Sequence, residues 1–528
     1  MESIQTEVLV VGSGPTGAML AWDLALLGVD VTIIDRLQSI PEYSREVGIP
    51  ARSIEILEQR GLYDAVAERS TNLLNDAHFG QLPVSLPYAG WQARRPYALG
   101  IAHLALVEVI TAKLAERFNI AVRRGLTLTS LSQDADGVTA VADGPDGELS
   151  IRACYVVGCD GGQSAVRQLA GIDFPGTDGT IDAISAQVQV GRKADWLADE
   201  WQSVHQLFHQ NKSTERFAVL IPQPGGRHRL GAVDFVNGPR SLDVPVTLGE
   251  INDLVSKSFN NEIEVDELLW AGRFNDATRQ ASEYRSGRVL LAGDAAHIAF
   301  AANGQGMNLG LLDATNLGWK LAAHLQGHAP TGLLDSYFTE QQPVAARALD
   351  NLQAQVHLMF PDPAKEPLRH VLTDLLAIPA VTHYMAGEVS GLAIRYPMAG
   401  AEHPLLGARM PDIELLVAGK PRWLSSLLHD GRAALVTVDQ RHAMFAEPWL
   451  PRVTATAVPE LPGVAANAVL VRPDGYVCWL ATAGTPIEAV EAGLLSALEQ
   501  WFGSAGTTKS GLANGSTRND VSSGKEWS

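Results

Sequence analysis

Cysteine is scarce: Cys154, Cys159 and Cys478 are the only three in 528 residues. None belongs to a C-x-x-C pair and none has zinc-ligand spacing. A disulfide framework, a thiol redox centre and a structural metal are therefore not expected, and a reducing cytoplasm is the natural setting. Long apolar runs are missing too. None approaches the ~18 residues of a membrane span. The opening MESIQTEVLVVGSG lacks the basic region of a signal peptide, so no membrane partner is expected. Positive charge is also short: 40 Lys and Arg stand against 59 Asp and Glu, a formal net charge of −19. That balance argues against nucleic acid or anionic lipid as the main partner. It leaves room for an anionic cofactor held by backbone N–H groups and a few arginines. With 46% hydrophobic residues, a chain of this length supports two or three domains, each with a core.

The chain opens with a β–α–β pattern: a buried strand over 6–11 (TEVLVV), a helix over 15–28 and a second strand over 29–35 (VDVTIID). Gly12, Gly14 and Gly17 form G-x-G-x-x-G between the first two elements. Gly12 permits the tight turn, Gly14 lets a pyrophosphate approach the backbone, and Gly17 lets helix and strand pack closely. Pro15 and Thr16 open the helix. Asp35 ends the second strand, where it can accept hydrogen bonds from a ribose. Arg36 beside it reads either as a solvent-facing cation or as a neighbour of the same ligand.

Two later motifs carry the same chemistry. CDGGQSAVRQLAG (159–171) puts Asp160 in a turn, with Ser164 and Arg167 at helical spacing just after it. LLAGDAAHIAFAANGQGMNLGLLDA (290–314) runs from a strand through Asp294 to a Gly-rich helix start. A simple dehydrogenase needs no second anchor of this kind. A long dinucleotide such as FAD does, at its ribityl and ring end. Strand-like alternation dominates about 120–157 and 183–236. Residues 333–360 read as a helix that Pro343 kinks or breaks. A Pro/Gly-rich linker falls near 397–412. The last 25 residues are too polar to fold.

With GSGPTG, CDGGQSAVR and LLAGDAAH in this order, the chain resembles the class A flavoprotein monooxygenases of the para-hydroxybenzoate hydroxylase family. It looks most like the angucycline-type aromatic polyketide hydroxylases. Supporting stretches are SREVGIPARSIEILEQRGL (44–62), HFGQLP (78–83), FNDATRQASEYRSGRVLLAGD (274–294), LLDSYFTEQQ (333–342) and HPLLGARMPD (403–412). The resemblance spans about residues 5–503. It implies an α/β fold with an α+β substrate domain. Residues 1–175 would form the first part of a Rossmann-like FAD-binding domain, with a substrate-domain insertion near 75–103. Residues 176–273 would be a substrate-binding β-sheet domain, and 274–397 the second FAD-binding part with helices. Residues 398–503 would be a thioredoxin-like domain and 504–528 a disordered tail.

The resemblance also implies a site. FAD would lie on Gly12, Gly14, Pro15, Thr16, Gly17, Asp35 and Arg36, with Arg45 near the pyrophosphate. Asp160 would serve FAD structure and NADPH (or NADH). Asp294 would hold the ribityl, and Ala301, Gly304, Gly306, Met307 and Asn308 would surround the ring. The implied reaction is hydroxylation of a large aromatic polyketide in antibiotic biosynthesis, with O2 delivered through a flavin hydroperoxide. Phe208, Phe217 and Phe235 are candidate lining residues. No catalytic side chain is required, and His297 reads as structural. The C-terminal unit lacks C-x-x-C, which favours a structural role or a homodimer contact.

Three departures stand out. Ala301 occupies the place of a common loop proline, and Asn303 that of a common glycine. Gly100 stands where a glutamine is common. Gln341 follows Glu340 where an arginine is common. These leave open a Baeyer–Villiger or ring-rearranging reaction, or a non-redox relative that has lost oxygenation.

Overall fold

A central parallel sheet sets the positions of everything else. The computed structural model describes residues 2–41, 47–201, 213, 215–223, 225–301, 304–359, 362–400 and 402–506. Arg45, Asn303, Phe208 and most of the expected tail lie outside them. The sheet runs, in spatial order, Arg285–Ser286, Val289–Leu291, Gly147–Gly158, Glu2–Val11, Val31–Asp35 and Val122–Arg124. From Val289–Leu291 across to Val122–Arg124 every pairing is parallel. Val8, Leu9 and Val10 are fully buried, because the central strand is covered on both faces. The first helix, Pro15–Leu26, lies against the long helix Gln305–Leu325. Glycines let the two approach: a Cβ on Gly310 would fall 2.2 Å from Thr16 Oγ1, and one on Gly318 would fall 2.8 Å from Asp23 Cβ.

The second sheet is antiparallel, in the order Arg216–Gln223, Arg227–Asp234, Asp182–Arg192, Glu264–Phe274. Its strands alternate faces with period two. Ala218 and Leu220 join a core with Ile251, Leu254 and Val255 of the helix Leu248–Ser258. Phe217, Val219 and Ile221 face the opposite way, into a cavity.

Helix 333–360 departs from expectation. It runs unbroken as Ser336–Met359 with Pro343 inside. The proline removes one helical hydrogen bond, but Tyr337, Glu340, Gln341, Ala345 and Leu349 are buried on either side of it, and that packing carries the helix through. Residues 51–67 form two helices, Ala51–Gln59 and Tyr63–Ala67, separated by Gly61 at φ +66°.

The C-terminal sheet has the order Val453–Ala457, Ala433–Thr437, Ala468–Val471, Val477–Ala481. Its first pair is parallel and the rest antiparallel. With the closing helix Ile487–Phe502 this is the strand order of a thioredoxin-like unit. Cys478 is buried there, its Sγ donating to the Leu470 carbonyl at 3.4 Å.

A buried ionic network joins this unit to the long helices. Arg472 reaches Glu340 through two bonds, 2.7 and 2.8 Å, and also pairs with Asp474. Lys320 donates to Glu340 at 2.8 Å and to Asn316 Oδ1 at 2.7 Å. Arg52 donates to the Asp474 carbonyl at 2.8 Å. This explains the missing arginine at position 341. Glu340 takes its cations from Lys320 and Arg472, while buried Gln341 donates to the Tyr396 hydroxyl at 3.2 Å.

One contact on the same seam is sensitive to acid. His328 lies beside Gly503, and a Cβ on that glycine would sit 2.1 Å from the His328 carbonyl oxygen. Burial, then the Arg452 charge, push the His328 pKa down from 6.5 to about 4. The fold therefore prefers the neutral ring. Its contribution is fully present above pH 6.5 and is lost as the pH falls toward 4. Thermal unfolding midpoints measured across that window should fall more steeply for the native protein than for His328→Gln. Equal slopes would remove His328 from the account.

Candidate functional site

Four neighbouring parallel strands end at one edge of the central sheet, and the sequence motifs are at those ends. Val11 leads into Gly12, Val31–Asp35 ends on the acid, Gly158 leads to Asp160, and Leu291 leads to Asp294. Ligands of open parallel sheets bind along this edge. The ends are tied to one another: Gly12 N–H donates to Ile34 O at 2.8 Å, Cys159 N–H to Val11 O at 2.7 Å, and Ala292 N–H to Gly158 O at 2.9 Å.

The glycines divide by role. Gly12 has φ +99°, and a Cβ there would lie 2.3 Å from the Cys159 carbonyl oxygen. A Cβ on Gly17 would lie 2.0 Å from Gly12 O. Both are needed by the fold. Gly14 is different, since a Cβ there meets nothing within 4 Å. It caps Pro15–Leu26 with no side-chain hydrogen bond, so the first-turn N–H groups face open space. That is an anion cradle. Asp35 leans over it, accepting from Ser13 N–H at 2.8 Å, Ser13 Oγ at 2.6 Å and Leu37 N–H at 2.9 Å. Pro15 begins the helix, Arg36 is exposed, and Thr16 is the knob seated between Gly293 and Gly310.

Asp160 works on its own loop. It accepts from Ser164 Oγ at 2.5 Å and Val166 N–H at 3.1 Å, holding the short helix Ala165–Leu169. Ser164 and Arg167 do not face a common ligand. Ser164 Oγ accepts from Arg167 N–H, and the buried guanidinium donates to Ala295 O and Gly162 O, both at 2.8 Å. Arg167 thus ties the 160 loop to the residue next to Asp294. The same loop is fixed by Asp313, which accepts from Gly293 N–H at 2.8 Å and pairs with His297 Nε2 at 2.7 Å. Burial opposes a charge on His297, yet Asp313 beside it holds the pKa above the usual histidine range. His297 also lines the cavity described next.

Asp294 is exposed and lines a cavity of about 270 Å³ with Ala301, Gly304, Gln305 and Gly306. Gly304, at φ +66°, caps Gln305–Leu325 without a side-chain bond. A Cβ on Gly306 would meet nothing within 4 Å, so this helix start is a second open cradle. Met307 stands in the first turn, and the Asn308 N–H is already bonded to Gly304 O at 3.2 Å. Their side chains are buried, and Asn308 accepts from Ser53 Oγ at 2.5 Å.

A larger cavity of about 590 Å³ lies between the second sheet and the segment 71–100. Phe217 lines it as expected, while Phe235 packs in the cluster beside it. Phe274, Phe300 and Ala301 border both cavities. Gly100 lines it too, and its missing side chain is replaced: a Cβ there would fall 1.9 Å from Asn72 Oδ1. Asn72 pairs with Gly100 across the strands Asn72–Leu74 and Ala98–Ala102. No local signal in the sequence links those two positions.

Among the described residues no group of three or more His, Cys, Asp or Glu could hold a metal, and no helix is long and apolar enough to cross a membrane. Comparison with known proteins agrees with the geometry. A family model described as FAD binding domain matches residues 5–352, and one described as aromatic-ring hydroxylase, C-terminal, matches 403–505. The chain is 39% identical over 504 residues to a 12-dehydrotetracycline 5-monooxygenase/anhydrotetracycline 6-monooxygenase of Streptomyces rimosus subsp. rimosus, covering 94% of this chain and 99% of that protein. It is 33% identical over 499 residues to a dialkyldecalin synthase of Streptomyces rugosporus, covering 94% and 99%. It matches the crystal structure of an aromatic hydroxylase from angucycline biosynthesis with a TM-score of 0.84 and 35% identity, covering 95% and 99%. Two open cradles on one sheet edge, an adjoining apolar cavity and a match over most of the chain identify it as a member of the FAD-binding family of class A flavoprotein monooxygenases.

Proposed function

We infer that the protein is an NAD(P)H-consuming hydroxylase of a polycyclic aromatic polyketide, acting in the cytoplasm in antibiotic biosynthesis. The observation that carries the reading is the shared wall. Phe274, Phe300 and Ala301 separate the cavity at the second cradle from one large and apolar enough for a multi-ring substrate. Gly12, Gly14, Gly17, Pro15 and Thr16 would hold the FAD pyrophosphate, with Arg45 nearby and Asp35 and Arg36 toward the ribose. Asp160 would keep its loop in register, Asp294 would bind the ribityl, and Ala301, Gly304, Gly306, Met307 and Asn308 would border the ring. When bound, FAD reduced by NAD(P)H supplies the O2 chemistry that no side chain here provides. The chain's part is to place the substrate ring against that site and keep water out.

A second reading is favoured by two observations: the similarity to a dialkyldecalin synthase, and Ala301 at the wall common to both cavities. That reading is a non-redox enzyme on this scaffold. One experiment separates them. The purified protein is mixed with NADPH in air and with anhydrotetracycline as a probe, and the product mass is recorded. Gain of one oxygen with NADPH loss supports the hydroxylase. Bound FAD with no NADPH consumption supports the second reading. Coupling tests the loop. Proline restricts φ, and its absence releases roughly 0.4–1 kcal/mol of restraint. Ala301→Pro should lower the peroxide formed per NADPH consumed by about two- to fivefold. An unchanged ratio would make the loop departure neutral.

A further inference from the structure

The large cavity has unlike walls. Phe217, Val219 and Ile221 form an apolar face with Phe274 and Phe300, and the segment opposite is polar. Most polar groups on that segment are already engaged. Thr71 Oγ1 donates to Asn72 Oδ1 at 2.9 Å and to Gly100 O at 3.0 Å. Two groups are not. Asp76 lies in a small ribbon, paired with Pro87, and Tyr88 begins the turn Tyr88–Gly90 that follows it, its N–H donating to Asn75 O at 3.1 Å. Tyr88 is 4% exposed and lines the cavity. Its hydroxyl has no hydrogen-bond partner among the described residues. Half-buried Asp76 also lines the cavity; Ser85 Oγ donates to its Oδ2, and Oδ1 has no such partner among them. Burial, then the Asp76 charge, push the Tyr88 phenol's pKa up, so the hydroxyl remains a donor at working pH. A phenol donor and a carboxylate oxygen that share one cavity wall and have no protein partner among the described residues are matched by a ligand that brings the complementary pair.

We propose that Asp76 and Tyr88 are the specificity-determining edge of this cavity, reading oxygens along one side of a polycyclic substrate: Asp76 accepts from a phenolic or enolic hydroxyl, and Tyr88 donates to a ring ketone. The apolar face covers the flat ring system while the pair fixes which edge points inward. A ring turned end for end would leave both groups unmatched. This rests on the large cavity being the substrate site, but not on any redox step.

The test is equilibrium binding to the FAD-loaded protein, read from perturbation of the flavin absorbance bands. The probes are 2-hydroxyanthraquinone, whose hydroxyl is too far from the ketone to bond it internally, and anthraquinone; they share the ketones and differ in the hydroxyl. The native protein should bind the hydroxylated ring roughly tenfold or more tightly. Asp76→Leu should erase that preference, and Asp76→Asn, which keeps an acceptor without the charge, should restore part of it. Tyr88→Phe should weaken both rings by a similar factor. Each variant must keep the native flavin spectrum; if Asp76→Leu does not fold, a reduced preference in Asp76→Asn decides. Equal native affinity for the two rings, variants that keep the native ratio, or no binding of either ring would overturn the proposal. Binding with the expected preference but no NADPH oxidation would leave it standing and count against the hydroxylase reading alone.

Discussion

Gly14→Val is expected to give a folded protein that purifies colourless, while Gly12→Ala is expected not to fold. Both positions belong to one motif, but their surroundings differ. The backbone at Gly14 has φ −63°, which any residue adopts, and its added Cβ would enter open space. That space is where the first helix aims its unpaired N–H groups. A branched side chain there costs the protein nothing and stands in the ligand's place, so FAD affinity should fall roughly 10–100-fold or more. At Gly12 the added atom meets the Cys159 carbonyl at 2.3 Å, on a backbone at φ +99°. The carbonyl cannot yield without displacing Cys159, whose N–H is bonded to Val11 O at the centre of the sheet. Flavin absorbance, circular dichroism and FAD titration together check the contrast. A yellow Gly14→Val protein with native FAD affinity would dismiss the cradle.

Arg472→Met should be the most destabilising single change outside the glycine loop. Arg472 is fully buried, as are Lys320 and Asn316 near it, and Glu340 and Asp474 are 5% and 1% exposed. Removing the guanidinium leaves two carboxylates to share one lysine. Breaking such a buried pair from one side costs about 3–5 kcal/mol. The loss is not confined to the C-terminal unit. Asn316, Trp319 and Lys320 sit on Gln305–Leu325, the helix whose start forms the second cradle. Flavin release should therefore begin at lower denaturant concentration than in the native protein. Adding Asp474→Asn to Arg472→Met should recover part of the stability, because Glu340 keeps Lys320 while Asp474 is the carboxylate left without a cation. Denaturant unfolding followed by flavin fluorescence measures both effects. If Arg472→Met unfolds like the native protein, the network is not a clamp.

Local chemistry was legible and long-range pairing was not. Gly12, Gly17 and Asp35 could be read because a tight turn and a strand end need those residue types at short, fixed spacing. Asp160 and Asp294 were visible as strand-end acids, yet their surroundings were not: Arg167 donates to Ala295 O, and Asp313 anchors the loop from 20 residues beyond Gly293. The departures at 100 and 341 look like losses in the sequence and are substitutions in space, by Asn72 and Arg472. Asp76 and Tyr88 were missed because one sits in a ribbon of two residues per strand and the other in the short turn after it, too short for any periodicity. The helix Leu248–Ser258 did carry a signal, with apolar residues at 248, 251, 254 and 255, inside a region read only as sheet.

The central sheet also sets an order in time. Glu2–Val11, Val31–Asp35 and Gly147–Gly158 are available early in synthesis, but the strand that completes the edge beside them is Val289–Leu291, and 131 residues separate Gly158 from Val289. At about 5–20 residues per second a ribosome needs on the order of 10 s to supply it. Through that interval the nascent first cradle lacks its neighbour, and the second sheet can close on its own helix. The long helix that Thr16 locks onto arrives later still. Cofactor capture should therefore follow release of most of the chain, and nascent chains stalled before about residue 325 should emerge without flavin.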